Sequence, residues 1–490
     1  MQKGKVYLVG AGPGDAELIT VKGLEAIKRA DVILYDRLIN PNLLNHAQTD
    51  CEFIYCGKLP NRHFLRQDVI NSLLVEKALA GKTVVRLKGG DPSVFGRVGE
   101  EALAVAEYNI EFEIVPGITS GIAAPLYAGI PVTHRDCAGS FAIVTAHDKT
   151  PNGKPDIDWA GLSSSIKTIA FYMGVKNLQY ICDNLIKHGK SPNTPAIIIQ
   201  WGTYGRQKSV EGTLATIVDL AQKGNITNPA ITLVGEVVAA REKISWFEKK
   251  ALFGRQMVLI RTGTEESKLA LELKENGADV IEFPKWRKEK ANVDPTQLDN
   301  LQTYDQILFA SSEAVNDFFD ILSENKKDFR LITAALYGTS VKTIKALETK
   351  GLTGFYISER EAAGKCLIVG DQQVIEEAEN YKDNCGEVDL FITSIKSIDP
   401  KFTPIIQRQL EEAEIDTLVF PNSKSVHVFK KQSSRYGMEN LSETAQVVCM
   451  GTKTKETAEA CGIFSNKIPA KPTIESFLEC LKEDYQLVNI

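Results

Sequence analysis

At 490 residues the chain exceeds what one core supports, so roughly two to four domains are expected. Its 43% hydrophobic and 24% charged residues are those of an ordinary globular protein, and a net charge of −6 excludes a broad nucleic-acid surface while leaving room for a local basic pocket. No run of about 18 apolar residues is present to span a bilayer, and the opening MQKGKVYLVG has no signal-peptide core. Nine scattered cysteines without a C-x-x-C pair, and six histidines without ligand spacing, read as reduced residues of a cytoplasmic protein with no metal site.

Lys5–Val9 reads as a buried strand that ends in Gly10-Ala11-Gly12-Pro13-Gly14-Asp15. A helix capped by Thr20 follows, and then a strand, Val32–Tyr35, that delivers Asp36-Arg37 at its C-terminal end. Open parallel sheets bind ligands at that edge. The glycines are not a dinucleotide fingerprint, because the spacing is G-x-G-P-G and not G-x-G-x-x-G. Strand Phe53–Tyr55 leads to Cys56-Gly57-Lys58, a loop with Asn61-Arg62-His63, and an amphipathic helix over Asp68–Ala80.

The stretch Val85–Gly99, VRLKGGDPSVFGRVG, is the centre of this half. It is a strand entering a loop whose backbone must pass close to something. Gly89 and Gly90 leave no side chain in the way, Pro92 fixes the exit, and Lys88 and Arg97 are expected to set positive charge on either side. Ile114–Ser120 is a second strand-to-loop passage. The small residues Gly121 through Ala124 then suit either close approach of a polar ligand or tight helix packing. A charged loop, Ile130–Asp136, and a strand, Ser140–Thr145, come next. Asp148–Ser165 reads as a surface excursion. Strands Thr168–Met173, Ala196–Gln200 and Ala230–Val234 each end in glycine or small residues.

Taken in order, G-x-G-P-G-D, YDRL, CGK, VRLKGGDPSVFGR, VPGITS, IPVTHRD, FYMG and WGT resemble the uroporphyrinogen-III C-methyltransferase family of tetrapyrrole methylases over about the first 250 residues. The resemblance implies two α/β lobes, about 1–118 and 119–250, with S-adenosylmethionine folded between them, and a homodimer formed through this half. It implies two methyl transfers to ring carbons of uroporphyrinogen III, giving precorrin-2. Matching position by position, Asp36 and Lys58 take the base and acid roles. The methyl donor would touch Pro13, Gly89, Gly90, Asp91, Val94, Thr119, Ser120, Met173 and Gly202. The residues agree with that chemistry on their own terms. Methyl transfer from a sulfonium to carbon needs alignment and a proton acceptor. A substrate rich in carboxylates needs fixed cations, and Arg37, Lys58, Arg62, His63, Arg97, His134 and Arg135 all sit on loops after strands.

The pattern restarts near Ala251–Gly254 with a strand, Gln256–Thr262, a helix, Glu265–Glu275, and a strand, Val280–Phe283. The second half also repeats itself, at a period on the order of 110 residues. Tyr304–Val315 resembles Ile415–Val426, Tyr337–Lys342 resembles Met450–Lys455, and Asn276–Val280 resembles Asn384–Val388. This layout resembles uroporphyrinogen-III synthase, which closes hydroxymethylbilane to uroporphyrinogen III. It implies a pair of parallel-sheet α/β domains, one of 251–286 plus 403–490 and an inserted one of 287–402. The chain departs from that family in having no tyrosine within Leu390–Ser394 and no arginine at Val369-Gly370-Asp371. Ser311, Ser312, Thr339, Asn422, Ser423 and Thr452 are candidates to grip substrate carboxylates, with helix capping as the plain alternative. A C-terminal half that binds ligand without turnover is the competing functional reading.

Overall fold

The computed structural model describes residues 3–57, 66–146, 154–359, 364–377 and 387–488. The chain builds four sheets, two in each half. The first contains β1 (Lys5–Gly10), β2 (Val32–Tyr35), β3 (Glu52–Tyr55), β4 (Val84–Lys88) and β5 (Glu111–Val115) in the order 3-2-4-1-5. All neighbours are parallel. Helices α1 (Val21–Arg29), α2 (Gln67–Leu79) and α3 (Val98–Glu107) connect them. A fully parallel sheet must be covered on both faces, and the strand residues divide accordingly. Val6, Leu8, Leu34 and Val84 join one core with α2 and α3, whereas Val9, Ile33 and Val85 join another with α1. That second core continues into the C-terminal half through Val258, Ile260, Ile405 and Phe420.

Helix α4 (Ser120–Tyr127) begins the second lobe. Its sheet holds β6 (Phe141–Thr145), β7 (Thr168–Tyr172), β8 (Pro195–Gln200), β9 (Lys208–Thr213) and β10 (Ala230–Val234) in the order 6-7-10-8-9. β10 runs antiparallel to both β7 and β8. The ends of β7 and β8 therefore share one edge and present Met173 and Trp201-Gly202 together. Of the expected surface excursion, residues 147–153 lie outside the described residues. The remainder corrects that expectation, since Trp159–Ser165 is a helix capped by Asp158. Trp159 supplies the apolar anchor: it is buried and stacks on Phe171 at 6.3 Å.

In the C-terminal half β11 (Gln256–Ile260) and β12 (Asp279–Phe283) flank α5 (Lys268–Glu275). This helix starts three residues later than its apolar spacing suggests, because Ser267 accepts the Ala270 N–H and sets the cap there. The chain then leaves through β13 (Trp286–Lys290) and builds β14 (Gln306–Phe309), β15 (Ala335–Gly338), β16 (Phe355–Tyr356), β17 (Lys365–Asp371) and β18 (Glu387–Ile398). Helices α6 (Ser312–Glu324) and α7 (Val341–Thr349) cover this sheet. After α8 (Thr403–Glu412) the chain rejoins β11 with β19 (Thr417–Phe420), α9 (Ser423–Gln432), β20 (Gln446–Cys449) and α10 (Thr452–Ala460). The two sheets run 12-11-19-20 and 13-18-17-14-15-16. The repeated segments occupy matching places: β14 and β19 are central partners, β15 and β20 lie outside them, and β12 and β18 lie on the other side. β13 and β18 pair antiparallel and form the strand link between the two sheets.

Candidate active site

Three turns meet backbone to backbone at the C-terminal edge of the first sheet. Gly12 and Gly90 exchange hydrogen bonds of 3.2 and 2.7 Å. A Cβ on Gly10 would stand 2.7 Å from the Gly90 carbonyl oxygen, and one on Gly117 would stand 2.4 Å from the same atom. Glycine is required there because the turns leave no space for a methyl group. Gly90 is required for another reason. Its φ of +69° belongs to the left-handed region, and a Cβ would find nothing nearer than 3.8 Å, beside the Ser120 N–H and Thr119. The open side of Gly90 is thus a bare cradle facing the start of α4.

The other residues expected to touch the donor lie on this turn, at the start of α4, after β7 and β8, and on the G-P-G-D turn. Asp91 ties two turns together, accepting from the Gly117 N–H at 2.9 Å and the Ser93 N–H at 2.7 Å. Val94, on the same loop, donates its N–H to the Asp91 carbonyl. Thr119 and the Gly121 N–H both bond the Tyr172 hydroxyl, and Phe95 packs edge-on to the Tyr172 ring at 5.3 Å. Gly121 is therefore small for packing: its Cβ would lie 2.8 Å from that ring. Met173 is half-exposed with a φ of +56°, and Gly202 packs on Ala124, 2.3 Å from a Cβ at that position. The G-P-G-D turn carrying Pro13 spans the lobes. The Asp15 N–H donates to Thr203 at 2.8 Å, Tyr127 donates to the Asp15 carboxylate at 2.7 Å, and Asn40 donates to the Gly14 carbonyl at 2.7 Å.

Asp36 ends β2 and is held from behind. Its Oδ1 accepts from Arg86 at 2.6 Å, while the side chain keeps 32% exposure. Arg86 also donates to Glu101 at 3.1 Å, and Lys88 donates to the same Glu101 oxygen at 2.8 Å. Arg86, Lys88 and Glu101 are all buried. Burial opposes the Arg86 charge, but Asp36 and Glu101 more than offset it and hold the guanidinium above its ordinary pKa. Burial, reinforced by Arg86, pulls Lys88 below its ordinary value. With its second oxygen unpartnered, Glu101 is a buried carboxylate stabilised by two cations. This network corrects the expectation that Lys88 sets positive charge beside the loop, because it points into the core. The charge of Arg97 is met locally by Glu100, at 2.8 Å from its Nε. An arginine inside an otherwise apolar strand, VVRLK, was the available signal for the network; its partner Glu101 lies on another element.

Lys58, Arg62 and His63 lie outside the described residues. Arg37 pairs with Glu412 of the C-terminal half at 3.0 Å. His134 and Arg135 sit on an exposed turn where His134 Nδ1 accepts the Asp136 N–H at 3.2 Å.

In the C-terminal half the candidates follow the ends of parallel strands, and several of them cap helices or bridge loops. Ser311 caps α6, accepting from the Ala314 N–H at 3.1 Å, and Ser312 is the first residue of that helix. Asn422 forms a capping box with Ser425 at the start of α9. Thr339 donates to the Ala310 carbonyl at 2.8 Å, and Ser423 donates to the Lys453 carbonyl at 3.3 Å. Thr452 opens α10 behind Gly451. A buried cluster with no local signal in the sequence lies on the link strand, where Lys396 pairs with Glu313 and, at 2.9 Å, with Asp371. Glu313 also accepts from Thr264 at 3.4 Å, across the space between the two sheets.

Interlocked glycine turns in an N-terminal half of two sheets, joined to a C-terminal half of two further sheets, define this molecule as a two-part α/β protein. Residues 5–218 match the family of Tetrapyrrole (Corrin/Porphyrin) Methylases, and residues 267–377 match Uroporphyrinogen-III synthase HemD. A Uroporphyrinogen-III C-methyltransferase of Bacillus subtilis (strain 168) is 51% identical over 466 residues, 95% of this chain and 94% of its own. The Porphyrin biosynthesis protein HemD of Ruminiclostridium josui is 34% identical, covering 99% of this chain and 98% of its own. A Thermus thermophilus uroporphyrin-III C-methyltransferase crystallised with S-adenosylhomocysteine is 37% identical, covering 48% of this chain and 99% of its own, with a TM-score of 0.42. The chain belongs to the tetrapyrrole methylase family, in a form that carries a uroporphyrinogen-III synthase HemD domain in its C-terminal half. No helix among the described residues is long and apolar enough to cross a membrane.

Proposed function

We propose that the N-terminal half, residues 1–250, methylates uroporphyrinogen III at C2 and C7 to give precorrin-2, and that the C-terminal half, 251–490, closes hydroxymethylbilane to uroporphyrinogen III. The observation that supports the first activity is the open cradle at Gly90 beside the Ser120 N–H. It fits a donor whose polar groups are read by backbone at a turn. S-adenosylmethionine supplies the activated methyl group when bound. Pro13, Gly89, Gly90, Asp91, Val94, Thr119, Ser120, Met173 and Gly202 would hold it. Asp36 accepts the proton that the methylated ring must lose. Arg86 orients that carboxylate through its 2.6 Å hydrogen bond, and Lys58 supplies the acid. Arg37, Arg62, His63, Arg97, His134 and Arg135 would bind peripheral carboxylates of the macrocycle.

For ring closure, Ser311, Ser312, Thr339, Asn422, Ser423 and Thr452 would hold the bilane in a shape that favours closure, without a strong acid or base. The alternative, a C-terminal half that binds without turnover, is favoured by the local engagement of Ser311, Thr339 and Asn422. Pairing of two chains through the N-terminal half is supported by exposed apolar side chains at Ile122 and Leu126 of α4 and at Trp246, whose indole donates to the Leu126 carbonyl at 3.2 Å. The test is incubation of the purified chain with hydroxymethylbilane and S-adenosylmethionine. Absorbance of a dimethylated product supports both halves. Product from uroporphyrinogen III but not from the bilane restricts catalysis to the first half, and none from either overturns the reading.

A further inference from the structure

The C-terminal half reaches into the surroundings of Asp36 through one helix. Phe402, just ahead of α8, packs edge-on against Phe53 of β3 at 5.5 Å. The Arg408 guanidinium lies over the Tyr55 ring at 4.0 Å and near the Tyr35 ring at 5.6 Å. At the end of α8 the Glu412 carboxylate pairs with Arg37, and the Glu412 carbonyl accepts from Arg206 at 3.1 Å. Arg206 also pairs with Asp279 at 3.2 Å and covers the Trp201 ring at 3.9 Å, next to Gly202. Tyr35 and Arg37 are the chain neighbours of Asp36. Together Arg37, Arg206, Arg408, Asp279 and Glu412 line a cavity of about 40 Å³ between the halves.

These contacts are not equivalent. Arg206 is nearly buried and fixed by Asp279, and Arg408 is spread over two aromatic faces. The Arg37–Glu412 pair is the accessible one, with 44% and 25% of its side chains exposed. A pair so exposed holds weakly and is readily exchanged for another carboxylate. A guanidinium donates to any carboxylate in the same planar geometry, so one carboxylate can replace another on it.

We propose that Glu412 is a built-in stand-in for a substrate carboxylate. It occupies Arg37 when the methylase pocket is empty and is displaced when a carboxylate of the tetrapyrrole takes its place. The inference rests on the proposed methylation of uroporphyrinogen III and assigns Arg37 two alternative partners. It makes the C-terminal half a competitive brake on substrate entry to the N-terminal half.

The test uses the full chain. Glu412→Gln preserves side-chain shape and the carbonyl that Arg206 holds, but removes the charge. Expected is a fall in KM for uroporphyrinogen III of about three- to fivefold with kcat unchanged, shrinking as salt is raised. Arg37→Ala raises KM, and adding Glu412→Gln to it has no further effect. The same ratios are expected without turnover, from fluorescence quenching when uroporphyrin, the oxidised octacarboxylate, is bound. Glu412→Ala serves as the second variant if the glutamine form has a lowered Tm. An unchanged KM, a raised KM, or an equal fall in the Arg37→Ala background overturns the exchange. Failure of the wild-type chain to methylate uroporphyrinogen III overturns the functional reading instead, and the porphyrin-binding ratios still decide the role of Glu412.

Discussion

The two halves use the same construction, strand ends at the C-terminal edge of parallel strands, and reach different results. In the N-terminal half the turns interlock through glycine backbone, and Gly90 is left open. At the same edge stands Asp36, backed by a buried Arg86–Glu101–Lys88 network. In the C-terminal half the strand ends carry Ser311, Thr339, Asn422 and Ser423, whose polar atoms cap helices or bridge loops. The difference teaches that one half is organised around a fixed constellation. The other holds two separate rims whose relative position is set by the β13–β18 link. Paired domains of this kind bind between their rims and close.

The largest effect that would break the comparison is on Asp36. Asp36→Ala should lower methylation about 100- to 10,000-fold, the range for a lost general base, while ring closure by the same chain is unchanged. Parallel assays with uroporphyrinogen III and with hydroxymethylbilane check it, and equal loss of both activities would show that the halves are not independent. Next is the buried support. Arg86→Met leaves the Glu101 carboxylate with one cation and should cost about 3–5 kcal/mol, read as a lowered denaturation midpoint. The smallest is at the rim. Asn422→Ala should cost about 1 kcal/mol as a lost cap. If capping is its whole role, KM for hydroxymethylbilane stays within about twofold, and a larger rise assigns Asn422 to substrate instead.

The strand pattern and the glycine turns were legible because they obey local rules. Lys5–Val9 and Val32–Tyr35 are short apolar runs with turn residues behind them. The internal repeat was legible for the same reason, and β14 with β19 and β15 with β20 occupy matching sheet positions. What escaped was set by partners distant in sequence. Lys88 reads as a loop charge until Glu101 of α3 is seen beneath it. Arg37 reads as a free cation until α8 of the other half brings Glu412 to it. Trp159 sits in a polar stretch, and its burial comes from Phe171 and Tyr180, which are distant in sequence. The start of α5 depended on a single cap at Ser267.

The central claim is that the methyl donor lies against the bare face of Gly90. Titration calorimetry of S-adenosylhomocysteine into the wild-type chain and into Gly90→Leu tests it without any catalytic step. The expected result is clear binding to the wild type and a Kd raised about 100-fold or more in the variant, whose side chain fills the cradle and strains a left-handed turn. Equal affinity in a variant with an unchanged Tm would place the donor elsewhere.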